Sequence, residues 1–162
     1  MQLNKKIFIS TFIIILCFAI DRLSKFYIID FFIQNDFRDQ YINPYLNFII
    51  IWNKGIAFGL LESGNFFYNM ISIIIFLVII VICYLIYKSN KKYEVICYSL
   101  VVSGALGNFM DRIYYKAVPD FIDLHYNDFH WFTFNVADIF ITFGILLLLT
   151  FDMFKLKNKV NE

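Results

Sequence analysis

Phe66-Phe67-Tyr68-Asn69-Met70-Ile71-Ser72-Ile73-Ile74-Ile75-Phe76-Leu77-Val78-Ile79-Ile80-Val81-Ile82-Cys83-Tyr84-Leu85-Ile86-Tyr87 carries no charge from end to end. A helix that crosses a bilayer needs about 20 predominantly apolar residues. This stretch meets that requirement, and it decides the fold. Three further runs come close to it. Residues 7–29 are apolar apart from Asp21, Arg22 and Lys25. Residues 93–110 are interrupted only by Glu94. Residues 134–154 hold Asp138 near one end and Asp152 near the other. The reading is an all-α membrane protein with four transmembrane helices, about 7–29, 66–87, 93–110 and 134–154. Residues 1–162 form one integral membrane domain.

Composition agrees. The 162 residues are 60% apolar and 17% charged, against about 45–50% and about 25% in soluble domains. Disorder is excluded, because its signature is low hydrophobicity. A net charge of +1 without a basic stripe speaks against nucleic-acid binding. Cys17, Cys83 and Cys97 lie in apolar runs without metal-ligand spacing and read as small buried hydrophobes. The start resembles a secretory signal, with Lys5 and Lys6 before an apolar run. Phe18-Ala19-Ile20-Asp21 does not fit a small-residue cleavage site, so the segment reads as a mature helix.

Orientation follows from lysine placement. Lys5, Lys6, Lys88, Lys91, Lys92, Lys155, Lys157 and Lys159 fall on one side, which is expected to be cytoplasmic with both termini. The opposite side holds ten of the thirteen acids. Its first connection contains Tyr45-Leu46-Asn47-Phe48-Ile49-Ile50-Ile51-Trp52, which predicts a strand, and then a turn at residues 53–59. A small extracytoplasmic β element in that loop is expected. The second outer connection, residues 112–132, reads as a short acidic loop.

Ionisable groups within a bilayer cost at least about 2.5–3.5 kcal/mol and normally have a partner or a task. Asp21 lies fifteen residues past Lys6, roughly 22 Å at 1.5 Å per residue. Asp111 ends the third helix on the same side, and Asp138 sits roughly 6 Å inside the fourth. Asp120 lies in the connection between them. The four carboxylates therefore converge at one level near the outer leaflet. Asp21 and Lys25 are four apart and can pair on one helix face. Asp111 and Arg112 are candidate fasteners to another helix. Asp120 and Asp138 have fewer local cations. Three roles remain open for them on these grounds: an acid–base pair, a proton or ion relay in a small transporter subunit, or packing. Two facing carboxylates in a poorly hydrated site share one proton, which suits an aspartyl protease. A Ser–Lys pairing of Ser24 or Ser103 with Lys25 has poor geometry. His125 and His130 could hold a metal with Asp123 or Asp128, although histidines at a membrane interface are commonly plain surface residues. A relay would spread polar groups through the membrane depth, and here polarity is one-sided.

Five stretches in order resemble the lipoprotein signal peptidases, the signal peptidase II family, over nearly the whole chain. They are Asp21-Arg22-Leu23-Ser24-Lys25, Asn53-Lys54-Gly55-Ile56-Ala57-Phe58, Ser103-Gly104-Ala105-Leu106-Gly107-Asn108-Phe109-Met110-Asp111-Arg112, Val118-Pro119-Asp120-Phe121-Ile122-Asp123 and Phe134-Asn135-Val136-Ala137-Asp138. The resemblance implies a catalytic dyad of Asp120 and Asp138. It implies substrate-binding or supporting roles for Asp21, Lys25, Asn53, Gly55, Asn108, Asp111, Arg112, Asn135 and Ala137. It implies an enzyme of the bacterial inner membrane that acts as a monomer, needs no cofactor or metal, and is a target of globomycin. The implied partners are membrane lipid and a prolipoprotein bearing a diacylglyceryl cysteine, cut just before that cysteine. Three residues depart from the family pattern: Ser103, where glycine is frequent; Pro119, where an aliphatic residue is usual; and Thr133, where proline often occurs.

Overall fold

The computed structural model of the chain describes residues 2–54, 64–127 and 129–160. Its elements run α1 (Leu3–Gln34), β1 (Gln40–Asn43), β2 (Leu46–Asn53), α2 (Gly64–Lys88), α3 (Lys92–Tyr115), β3 (Val118–Tyr126), β4 (Phe129–His130) and α4 (Val136–Val160). All four helices are long and apolar enough to cross a membrane. Their positions match the four expected runs. The observed α1 extends past residue 29, and its 32 residues span roughly 48 Å. That exceeds the roughly 30 Å hydrocarbon core, so α1 is longer than a perpendicular crossing requires.

Burial is inverted relative to a soluble protein. Phe8 and Phe26 are each 71% exposed and Met153 is 70% exposed. The fully buried side chains include Lys25, Asn135, Asp21, Asp111, Ser99 and Ser103. Lipid is as apolar as these outward side chains, so apolar burial offers little drive for helix association. Polar pairing and close backbone approach take that role. Ile79 and Ile86 of α2 pack with Val95 and Val102 of α3 in a narrow apolar core.

The α3–α4 contact depends on small residues. A Cβ on Gly104 would run into the Ala137 carbonyl oxygen and come within 2.8 Å of Ile141 Cγ1. One on Gly144 would lie 2.8 Å from the Cys97 carbonyl oxygen. These are the close approaches that small-residue stripes permit in membranes. At the other end of the bundle, buried Lys6 donates from Nζ to the carbonyls of Tyr87 (2.5 Å) and Ser89 (2.7 Å). A cation there satisfies orphan carbonyls at the C-terminus of α2 and complements its dipole.

The sheet is antiparallel in the order β1-β2-β3-β4. Sequence reading placed β structure in the first connection and treated residues 112–132 as a loop. The sheet draws on both connections, because β2 pairs along β3 from Leu46↔Leu124 to Asn53↔Val118. Two features explain the strand at β3. Lys116, at φ 58°, adopts the left-handed conformation that stops α3 and turns the chain back. Pro119 biases Val118 toward extended backbone, and Pro119 stands opposite Trp52 in the ladder. Trp52 also packs on Tyr115 at 5.2 Å between ring centroids, tying the sheet to α3.

Gly104→Ala is expected to cost about 1–3 kcal/mol by overpacking the α3–α4 seam. Denaturant unfolding in detergent micelles reads it, and unchanged stability would refute close approach at this point.

Candidate active site

The N-terminus of α4 is where the polar residues meet, and its geometry begins with a cap. Asn135 precedes the first helical residue. Its Oδ1 accepts from the Asp138 N–H (3.2 Å), and Asp138 Oδ2 accepts from the Asn135 N–H (3.1 Å). This is a reciprocal capping box with Asn and Asp in place of the usual pair. Asp21 of α1 takes a third free donor, accepting from the Ala137 N–H through Oδ1 at 3.0 Å. The unsatisfied N–H groups of a helix start favour anions, and carboxylates gather there.

Asp21 is itself held in an ion cluster between α1 and α3. Arg22 bridges Asp21 Oδ2 and Asp111 Oδ1, both at 2.6 Å. Lys25 bridges Asp21 Oδ1 at 3.0 Å and Asp111 Oδ2 at 2.6 Å. Two cations thus neutralise two fully buried carboxylates, which makes their burial tolerable. Gly107 lets Asp21 seat against α3, since a Cβ there would lie 2.5 Å from Asp21 Oδ2. Lys25 also donates to Asn108 Oδ1 (3.0 Å), and Asn108 Nδ2 donates to Asp138 Oδ1 (2.7 Å). Asn108 therefore links the ion cluster to Asp138.

Asp120 arrives from the sheet. The backbone N–H groups of Phe121 and Ile122 donate to the Phe134 carbonyl, and the Phe134 N–H donates to Ile122. This bridge sets residue 135 beside β3. Asn135 Nδ2 donates to Asp120 Oδ1 at 2.6 Å, and Asn53 Nδ2 donates to Asp120 Oδ2 at 2.9 Å. Asn135 thus connects both aspartates, through its amide nitrogen to one and its amide oxygen to the backbone of the other. Burial pushes the Asp120 carboxyl above the usual carboxylate range. The Asn53 and Asn135 hydrogen bonds oppose that shift, and the Asp138 charge adds to it.

The structure brings Asp21, Lys25, Asn53, Asn108, Asp111, Asn135, Ala137, Asp120 and Asp138 into one connected network. Gly55 lies outside the described residues, with the rest of the predicted turn at 55–59. Arg112 meets another helix through Tyr68 of α2 and makes no ion pair among the described residues. Its Nε and Nη1 are buried without a hydrogen-bond partner among the described residues. Its guanidinium lies 5.7 Å from the Tyr68 ring centroid, and its carbonyl accepts from the Tyr68 hydroxyl. Sequence reading credited Lys25 with the Asp21 pairing and missed Arg22. The missed signal was Arg22 itself, a second cation in an apolar run that also needed a partner. The Ser–Lys alternative finds no support. Ser24 Oγ donates to the Asp21 carbonyl and Ser103 Oγ to the Leu100 carbonyl, while Lys25 is engaged by two carboxylates.

Fold and site together define a multi-pass membrane protein with a pair of linked carboxylates at one helix end. The family model described as signal peptidase (SPase) II matches residues 13–155. The chain is 47% identical over 159 residues to the lipoprotein signal peptidase of Pelagibacter ubique (strain HTCC1062), covering 98% of this chain and 95% of that protein. It is 38% identical over 154 residues to the lipoprotein signal peptidase of Anaplasma phagocytophilum (strain HZ), covering 93% and 96%. A bacterial membrane enzyme structure obtained by the in meso method at 2.3 Å superposes with a TM-score of 0.70 at 29% identity, covering 97% of this chain and 92% of that one. The chain belongs to the signal peptidase II family, a family of peptidases.

Asp21→Asn is expected to destabilise the fold by roughly 3 kcal/mol, because it leaves buried Lys25 and Arg22 short of a counter-charge. Turnover per folded molecule should fall less than stability does. Full stability with abolished turnover would show that Asp21 acts in the chemistry instead.

Proposed function

We propose that the protein is an intramembrane aspartyl endopeptidase that removes the signal peptide from diacylglyceryl-modified bacterial prolipoproteins, cutting before the lipidated cysteine. The observation that carries this reading is Asn135, which hydrogen-bonds to Asp120 on the sheet and to Asp138 on α4 at once. The printed names of the relatives support the substrate class. A relay subunit would need polar groups strung through the membrane depth, whereas these gather at one helix end.

The proposed chemistry uses one shared proton. Asp120 and Asp138 hold a water against the scissile carbonyl. The ionised member takes a proton from that water, and the protonated member donates to the carbonyl oxygen. Asn53, Asn108 and Asn135 orient the two carboxylates. Asp21, Lys25 and Asp111 fix the elements that carry them, and Ala137 allows Asp21 to approach the end of α4. Gly55 and Arg112 are assigned to the substrate side. The substrate's lipid sits in the outer leaflet with its signal helix in the bilayer, so the scissile bond is presented at the level of the acids. In this orientation both termini face the cytoplasm and the sheet lies on the extracytoplasmic side of the inner membrane. The enzyme works as a monomer.

Purified protein is expected to cleave a diacylglyceryl-modified prolipoprotein. Asp120→Asn and Asp138→Asn should bind that substrate yet lose at least about 10²-fold in turnover. Robust cleavage by either variant would remove the dyad from the mechanism.

The pH profile of kcat/KM should be bell-shaped. Activity is lost at low pH when both carboxyls are protonated, and at high pH when both are ionised. The Asn53 hydrogen bond holds the Asp120 carboxyl down. Asn53→Ala should therefore raise an apparent pKa of the pair and move a limb of the profile to higher pH, and a downward shift would contradict the Asn53 hydrogen bond as a support of the ionised Asp120 carboxyl.

A further inference from the structure

Apart from the catalytic pair, the sheet carries a second cluster of chemically capable side chains. Asp123 and His125 are two apart on β3 and share one face. His130 on β4 stands directly across the ladder from His125, with the two rings stacked at 5.1 Å. The nitrogen and oxygen atoms these three residues offer all lie within 4.8 Å of one another. Asp123 Oδ2 is 2.9 Å from His130 Nδ1 and 3.8 Å from His125 Nδ1. Strand alternation turns this face away from Asp120, three residues earlier.

Two buried atoms here have no hydrogen-bond partner among the described residues. The His125 side chain is only 9% exposed, and its Nδ1 has no hydrogen-bond partner among the described residues. Asn47 faces Asp123 from β2 and donates to its Oδ2 at 3.3 Å, and its own Oδ1 is also buried and unpartnered. Buried polar atoms are normally satisfied. A buried imidazole nitrogen without a hydrogen-bond partner, set beside a buried carboxylate and a second imidazole, matches the ligand types of a metal site.

We propose that Asp123, His125 and His130 bind a divalent transition-metal cation of the zinc type. Two imidazoles and one carboxylate suit a borderline-soft ion, and they disfavour calcium and magnesium, which take all-oxygen shells. Tetrahedral zinc with bonds of about 2.0–2.2 Å sets its ligands roughly 3.3–3.6 Å apart, with a fourth place for water. The observed 2.9 and 3.8 Å separations straddle that spacing. The ion is structural and takes no part in hydrolysis. It clamps the two-residue β4 to β3, just before the segment that leads into α4.

The test uses the full-length, tag-free protein in detergent micelles, stripped of metal and then freed of chelator. Titration with Co²⁺, read by visible d–d absorption, should show one ion per chain, displaced by Zn²⁺. Loss of an outer-shell partner alone weakens metal sites by about 10–100-fold, so His125→Gln and His130→Gln should each weaken binding by at least about tenfold. His130 is 53% exposed, so its replacement leaves the fold intact, and circular dichroism verifies this. At one Zn²⁺ concentration, the unfolding temperature of the parent protein should rise more than that of His130→Gln. No cobalt uptake, or equal affinity in the parent and His130→Gln, would overturn the proposal and leave the direct His130–Asp123 hydrogen bond as the whole account of the cluster.

Discussion

Everything at the polar end of this molecule depends on Asp21 being held between three helices. One of its oxygens faces the α4 N-terminus through the Ala137 N–H, and the carboxylate as a whole faces Arg22 and Lys25. It therefore fixes three helices at once: its own, α3 through the shared cations, and α4 through the helix start. In a bilayer such a cluster has no water to dissolve into, so its geometry is strongly enforced. A hydrophobic contact could not replace it, because lipid offers an equally good apolar surroundings to either helix.

Neutrality explains the membership of the cluster. Two carboxylates with two cations leave no net charge at the α1–α3 seam. Asp120 and Asp138 lie beyond that balanced group. Their four oxygens are met by neutral amides: Asn53 and Asn135 for Asp120, Asn108 and the Asn135 backbone for Asp138. Amides orient a carboxylate without neutralising it. The same helix end thus holds two kinds of acid, one pair locked by counter-ions and one pair held by dipoles.

Much of this was legible in the sequence, and the reasons are physical. Spans could be read because residues 66–87 and their three counterparts exceed the length any soluble core helix needs for apolar cover. Convergence of Asp21, Asp111, Asp120 and Asp138 followed from rise per residue and alternating direction alone. What could not be read depends on long-range pairing. Val118-Pro119-Asp120-Phe121-Ile122-Asp123 becomes a strand because β2, some seventy residues earlier, supplies the ladder, and local pattern carries no trace of that partner. The pairing of Arg22 with Asp111 likewise needed the rotation of α1 against α3. The role of Asn135 as a double donor and acceptor needed both the cap and the Phe134 bridge to be seen together.

The two linked aspartates belong to different mechanical parts. Asp120 is carried on the sheet, and Asp138 on the end of a helix wedged into the bundle by Gly104 and Gly107. The chain from Phe134 to Asn135 crosses the joint between them, stitched to β3 on one side and capping α4 on the other. The separation of the two carboxyls is therefore set by how the sheet seats on the helix end, and not by either part alone.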